Sequence, residues 1–162
     1  MHKVKVFVLC CKAGIFWQGL VHDLSKYSPA EFIPGVRYFQ GNRSPNDMER
    51  ETNGYSLAWM HHKGRNKHHF EYWNDIDLET KKSSPVKMPQ KYVIEMFCDR
   101  VAASKIYHKD RYTDSTALEY YRLKEKYRVM HPDTAALLES LLIMLAEKGE
   151  AETFRYIRSI RR

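Results

Sequence analysis

The sequence predicts an all-α protein folded as a single helical bundle. Apolar residues recur at helical spacing along most of the chain. Strict alternation of apolar and polar residues, which is typical of a strand, is confined to KVKVFV at positions 3–8. The length of 162 residues is enough for one domain with a sizeable core, and 43% of the residues are hydrophobic. We therefore expect residues 1–162 to form one domain.

The first two helices are predicted as an antiparallel pair within residues 2–22. One straight helix would hold His2 and His22 about 30 Å apart, at ~1.5 Å per residue. Gly14 lies near the midpoint, and glycine commonly ends helices. A break there places both histidines at the same end of the pair. The next helix is predicted to begin at Ser28-Pro29-Ala30-Glu31, a capping-box pattern that explains Ser28 and Glu31 structurally.

Further helices are predicted along the rest of the chain. We expect a helix over 48–62, a tight turn at Gly64 and Asn66, and a short helix from 67. The polar segment DIDLETKKSSPVKM at 75–88 is predicted as a flexible loop. Three helical segments follow: PQKYVIEMFCDRVAASKIYH, DSTALEYYRLKEKYRVM and TAALLESLLIMLAEKG, the last ending at Gly149. EAETFRYIRSIRR is predicted as a final short helix, and helices 114–161 complete the bundle or form a homodimer face.

The net charge indicates the kind of binding partner, and the cysteine content indicates the cellular compartment. The net charge of +7 favours an anionic partner such as a phosphate, a nucleotide or a nucleic acid. No nucleic-acid-binding motif is present, so the predicted partner is a small anionic, phosphate-containing substrate. Three cysteines without a CxxC motif favour a reduced, cytoplasmic protein. No stretch approaches the ~18 apolar residues that a membrane span needs, so no membrane association is expected.

Histidines and aspartates form the main chemical signal. Four of the eight histidines, His61, His62, His68 and His69, fall within WMHHKGRNKHHFEYW at 59–73. His2, the His22-Asp23 pair and Asp99 accompany them. Neutral imidazoles with one or two carboxylates suit Zn, Fe, Mn or Ni, and an incomplete ligand shell leaves room for water. A buried hydrogen-bonded pair would also explain His22 and Asp23, and a surface ion pair would explain Asp99.

The geometry of the histidine-rich stretch requires a break in its helix. On an unbroken helix, His61 and His68 would lie ~10.5 Å apart. Two ions in one site are ~3.5–4 Å apart, so both histidines could not reach them. We expect Gly64 and Asn66 to fold two helix ends toward one cleft. Lys63, Arg65 and Lys67 then bind phosphate there or form a solvated basic turn.

The order H…HD…H…H…D resembles that of the HD-domain superfamily of metal-dependent phosphohydrolases. His22-Asp23-Leu24-Ser25-Lys26 is similar to its HD-x-x-K signature, and the stretches HDLSKYSPAEF, AWMHHKGRNKHHFEYW and MPQKYVIEMFCDRVAASKIY resemble a family of small HD-like proteins from bacteria and phages. These motifs lie within residues 2–108. The resemblance implies ligands for one metal, and a second ion held by His61 or His62 with His68 or His69. The implied ligands of the first metal are His2, His22, Asp23 and Asp99.

The predicted activity is hydrolysis of a small phosphate ester, and a nucleotide is one candidate substrate. One or two Mn, Fe, Zn, Co or Ni ions are the expected cofactor, with Asp23 among the catalytic residues. Lys26 and Arg65 would stabilise developing charge, and His69 would protonate the leaving oxygen. Two alternatives stay open: a diiron HD-type enzyme that activates oxygen, and a non-enzymatic, metal-stabilised module that binds a nucleotide or a protein.

Overall fold

The computed structural model describes residues 1–41, 43–124 and 128–161. Its architecture confirms the predicted all-α class, and the one sheet in the described ranges is a two-stranded hairpin. The helices are α1 (His2–Ala13), α2 (Phe16–Val21), α3 (Pro29–Arg37), α4 (Pro45–Asn53), α5 (Leu57–Arg65), α6 (Gln90–His108), α7 (Thr116–Leu123) and α8 (Pro132–Ile160). Short 3₁₀ turns cover Leu24–Tyr27, Phe70–Tyr72 and Lys109–Arg111, and the strands are β1 (Asn74–Ile76) and β2 (Ser83–Pro85).

The predicted antiparallel pair of helices at the start of the chain is confirmed. Gly14 ends α1 in the left-handed conformation, with φ at 76°, and its N–H bonds the Cys11 carbonyl at 3.0 Å. The pair packs closely, because a Cβ added to Gly19 would lie 2.7 Å from Cys10 Cβ. The His2 and His22 rings meet at the same end, with their centroids 6.0 Å apart.

The core surrounds α6, whose middle is buried on almost every side. Helices α1, α7 and α8 pack around it, so the alternating segment KVKVFV becomes helical and buries Val6 in this core. Tertiary packing therefore overrides the local strand pattern. The largest fully buried apolar side chains are Val6, Val93, Ile94, Phe97, Val101, Leu138, Leu141, Leu142, Leu145 and Ile157. Within the described ranges, no helix combines the length and the apolar character that crossing a bilayer requires.

The predicted helix over 48–62 is wrong, because the chain breaks between α4 and α5. Gly54 ends α4 with φ at 82°, and the Ser56 hydroxyl then caps α5 by accepting the Trp59 N–H at 3.0 Å. Gly64 does not end α5, which continues to Arg65. Asn66 is its C-cap residue, and the Asn66 side chain donates to the His62 carbonyl at 2.8 Å. The short helix expected from 67 is a 3₁₀ turn at 70–72.

Three other predicted segments differ in detail. The polar loop at 75–88 contains an antiparallel hairpin, with Asp75 paired to Ser84. Ser28 begins α3 without a side-chain cap bond, and Glu31 is buried against histidines, so the capping-box explanation of this pair is wrong. The helix predicted over 114–130 ends at Leu123, and residues 125–127 of that prediction lie outside the described ranges.

The expected helix break at Gly149 is confirmed, with φ at 75° and ψ at 175°.

Replacing Gly19 with alanine is expected to loosen the α1–α2 pair. The new methyl group meets Cys10 Cβ and the Phe7 backbone, and overpacking of this kind costs about 1–3 kcal/mol. Gly35→Ala is the matched control, because a Cβ on this helical glycine meets no atom within 4 Å. It should leave stability unchanged or raise it by about 0.5–1 kcal/mol. Denaturant unfolding of both variants tests this, and equal losses would contradict the close packing at Gly19.

Candidate metal centre

The site forms where the ends of several elements meet α6. His22 and Asp23 follow the end of α2, and Asp23 adopts the left-handed conformation with φ at 55°. Because the pair lies beyond the helix end, both side chains face the same point rather than diverging. His62 comes from α5, and His68 from the segment that follows it. All four side chains are buried.

Three histidines are anchored through their Nδ1 atoms. Glu95 Oε1 lies 3.1 Å from Nδ1 of His22 and 3.2 Å from Nδ1 of His68. Glu31 Oε2 lies 2.7 Å from Nδ1 of His62. A carboxylate accepts hydrogen bonds, so each Nδ1 carries a proton, and in the neutral imidazole Nε2 is then the nitrogen that offers a lone pair. Metal-ligating histidines are held in this way by carboxylates.

The Nε2 atoms surround the Asp23 carboxylate. Asp23 Oδ1 lies 3.4 Å from Nε2 of His62 and 3.5 Å from Nε2 of His68, and Oδ2 lies 3.4 Å from Nε2 of His22. Four buried atoms here have no hydrogen-bond partner within the described part of the chain: Nε2 of His22, His68 and His69, and Oδ1 of Asp23. Buried polar atoms are normally paired. Converging lone pairs without donors fit a cation, so the residues present suit a metal ion.

Three overlapping groups have ligand atoms close enough to hold an ion. The group of His22, His68 and Glu95 includes the carboxylate that anchors both Nδ1 atoms, so the other two are the candidate ligand groups. His2, His22 and Asp23 form one, with ligand atoms within 4.8 Å of one another. Asp99 adjoins this group, because its Oδ1 lies 2.8 Å from Nε2 of His2 and 3.6 Å from Nε2 of His22. The second group, within the same limit, consists of Asp23, His62, His68 and His69. Asp23 belongs to both groups, and their nitrogen and oxygen donors suit Zn, Fe, Mn, Co or Ni.

The other predicted site residues lie around these groups. His61 belongs to neither group, and its Nδ1 bonds Glu31 Oε1 at 2.7 Å. Lys26 Nζ forms an ion pair with Asp23 Oδ2 at 2.6 Å. Arg65 lines a neighbouring cleft. His69, predicted as a proton donor, lies among the candidate ligands. Cys98, beside Asp99, is fully buried in the core.

Sequence reasoning missed the two glutamates that anchor the histidines. Glu95 lies one turn before Asp99 on α6, and residues at this spacing share a helix face. That spacing was the available signal for Glu95. Glu31 follows a proline at the start of α3, where helix capping explained it without any contact to the distant histidines. Only the packing of α3 against α5 brings Glu31 to His61 and His62.

Carboxylates dominate the electrostatics of the site. Burial lowers the pKa of His22, but the carboxylates of Asp99 and Glu95 outweigh it and raise that pKa to about 10. Burial raises the pKa of Asp23, whereas His22 and Lys26 lower it to about 2. Burial, with His68 nearby, lowers the pKa of His69 well below its usual range. The metal-free site therefore holds a proton on His22, an ionised Asp23 and a neutral His69.

A cleft of about 490 Å³ opens beside the centre, and His68 and Glu95 form part of its lining. Arg65 and Lys67 are exposed basic side chains on the same cleft. Within the described ranges, no carboxylate lies within 4 Å of either cation. The cleft therefore connects the candidate ligands with two cations that are free to bind an anion.

The fold and this centre define an all-α protein with a buried cluster of histidines and carboxylates suited to metal binding. Residues 1–144 match a family of unknown function (DUF5662), and the chain belongs to this family. The match includes every residue of the two candidate ligand groups. Comparison with curated proteins and with solved structures gives no match.

Replacing His68 with glutamine is expected to remove metal from the protein. The variant loses an Nε2 directed at Asp23, so the ion content per chain after purification without chelators should fall by about one. Metal analysis by mass spectrometry measures this. His61→Gln is the matched control, because His61 lies in the same histidine-rich stretch but outside both groups. It should retain its metal, and equal metal content in the two variants would contradict the ligand assignment.

Metal affinity is expected to rise with pH. The metal-free fold holds a proton on His22 up to a pKa of about 10, and a metal at Nε2 must displace it. Affinity should rise about tenfold per pH unit between about pH 7 and 9 as one proton is released. Calorimetric titration in buffers of different ionisation enthalpy measures this release. Binding at pH 7.5 without proton release would contradict the protonated state of His22.

The same proton stabilises the metal-free fold. Because the folded-state pKa of His22 lies above its ordinary value of 6.5, the contribution of this proton to the free energy of unfolding is complete below about pH 6.5. It is lost as the pH rises through about 10. Metal binding replaces this proton with a cation, so the metal-loaded protein should keep its stability across that pH range.

Proposed function

We propose that this chain is a metal-dependent phosphohydrolase of the HD type that hydrolyses a small phosphate ester. One observation carries the proposal: Nε2 atoms of three buried histidines surround the carboxylate of Asp23, while their Nδ1 atoms bond glutamates. This is the arrangement that a metal centre of histidine and carboxylate requires. The order of the residues along the chain, H…HD…H…H…D, supports the HD type.

The ligands of the proposed centre follow from the two groups. His2, His22, Asp23 and Asp99 would hold one ion, and Asp23, His62, His68 and His69 a second. When bound by these residues, divalent Mn, Fe, Zn, Co or Ni would act as a Lewis acid toward the phosphoryl oxygen and would lower the pKa of a water molecule toward neutrality. The lowered pKa of His69 favours the role of a neutral ligand over that of a proton donor.

Basic side chains would bind the phosphate group. Arg65 and Lys67 lie on the cleft without carboxylate partners among the described residues, so their charges are available to phosphate oxygens. Lys26 forms an ion pair with Asp23, the carboxylate that both groups share. This ion pair lowers the pKa of Asp23 and so keeps its carboxylate ionised. A lysine ammonium has three N–H donors, so Lys26 can also stabilise charge that develops on the phosphate.

Hydrolysis of phosphomonoesters is the expected activity. Purified protein supplied with Mn, Co or Fe should hydrolyse at least one member of a phosphomonoester panel, and a chelator should abolish the turnover. Lys67→Ala should raise KM about tenfold, since a charge-assisted hydrogen bond contributes about 1.5–3 kcal/mol. Lys82→Ala, which removes an exposed lysine of the hairpin region, is the matched control and should leave KM unchanged.

Other outcomes separate the competing functions. Absence of turnover with every metal, together with full metal occupancy, would overturn the phosphohydrolase proposal. Two irons per chain and oxygen consumption would instead select an oxygen-activating enzyme, since the shared Asp23 also suits a diiron pair. Thermal stabilisation by a nucleotide without turnover would select the binding module.

A further inference from the structure

Trp17 has a largely exposed ring. The residue is 70% exposed, although tryptophan side chains are highly buried on average in folded proteins. It lies on α2 and lines the cleft that also includes His68 and Glu95. Val21, one turn further along α2, lines the same cleft and is half-exposed. An apolar wall therefore faces the entrance to the candidate metal centre.

Neighbouring rings hold Trp17 in place. The Phe16 and Trp17 ring centroids lie 5.4 Å apart at an interplanar angle of 80°, which is an edge-to-face contact. Phe16 makes a second contact of this kind with Phe7 on α1, at 5.4 Å and 69°. The indole ring is therefore supported by a chain of aromatic contacts from α1. A ring fixed in this way loses little side-chain entropy when a ligand packs against it.

Aromatic and charged groups both line the cleft. Tyr92 contributes a second, partly buried ring, and Lys67 Nζ lies 6.0 Å from its centroid. Lys67 is also tethered through its backbone, because the Trp73 indole N–H donates to the Lys67 carbonyl at 2.8 Å. The cations of Lys67 and Arg65 thus share one small cleft with the rings of Trp17 and Tyr92. A ligand that satisfies both kinds of group needs an anion and a flat apolar part.

We propose that Trp17 determines substrate specificity by packing against an aromatic ring of the ester group, while Arg65 and Lys67 bind the phosphate. The substrate class is then a phosphate monoester with an aromatic organic group, and an aliphatic or sugar phosphate lacks the contact to Trp17. This inference rests on the proposed phosphohydrolase function, because it places the phosphate beside the candidate metal ligands. Stacking on an aromatic side chain favours a ring of matching size and flatness.

Binding of two phosphonates tests the role of Trp17. Phenylphosphonate and ethylphosphonate carry the same anionic group, and their carbon–phosphorus bonds replace the ester bond, so binding is measured without hydrolysis. Calorimetry on the Mn-loaded full chain should give a Kd for phenylphosphonate about tenfold lower than that for ethylphosphonate. Trp17→Ala should remove this preference and leave ethylphosphonate binding unchanged. Trp17→Phe should retain most of the preference.

Tyr107→Ala provides the matched control, because Tyr107 is 77% exposed but does not line the cleft. It should bind both phosphonates as the unmodified chain does. Equal affinity of the unmodified chain for the two compounds, failure of both to bind, or an undiminished preference in Trp17→Ala would overturn the inference. Hydrolysis of phosphomonoesters without aromatic preference would overturn this inference alone, whereas aromatic-selective binding without any turnover would overturn the proposed function alone.

Discussion

The hydrogen bonds that Glu95 accepts from two histidines are the constraint on which the centre depends. They join α6, at the middle of the core, to the end of α2 and to the segment after α5. Because both bonds use Nδ1, they direct the Nε2 atoms of His22 and His68 at Asp23, and they select Nε2 as the ligand atom once each imidazole is neutral. Without Glu95, each ring could rotate and offer either nitrogen. One buried carboxylate on α6 thus orients ligands from two different segments, a helix end and a loop.

Placing so much charge in the interior requires a counter-charge. Four carboxylates, those of Asp23, Glu31, Glu95 and Asp99, surround the histidines. Within the described ranges, the one lysine or arginine within 4 Å of them is Lys26. An uncompensated buried charge is strongly unfavourable. The carboxylates therefore favour a bound cation. In the metal-free site that cation is a proton on His22, which is why the pKa of His22 is raised. A divalent metal serves the same need with more charge at the centre of the cluster.

The fold class and many of the residues that meet at the centre could be predicted from the sequence, because their signals are local ones such as periodicity, helix-ending glycines and short motifs. Helical periodicity identified the class, and Gly14 indicated the turn that pairs His2 with His22. The sequence also predicted that Gly64 ends a helix, which is wrong, because an α-helix accepts a glycine within its length and a Cβ at Gly64 would meet open space. The start of α5 at its Ser56 cap was missed, because it depends on the helix break at Gly54. Glu31 could not be assigned, because its contacts to His61 and His62 arise from packing of separate helices.

The His22-Asp23 pair shows how local conformation and chemistry depend on each other. On a continuing helix, adjacent side chains diverge by about 100°, so the two could not face one ion. The helix instead ends at Val21, and Asp23 takes a φ of 55°, a conformation that aspartate tolerates better than most residues. Its ion pair with Lys26 and its contacts with three imidazoles offset the backbone strain. An alanine at position 23 would lose these compensations, so the conformation and the carboxylate are required together.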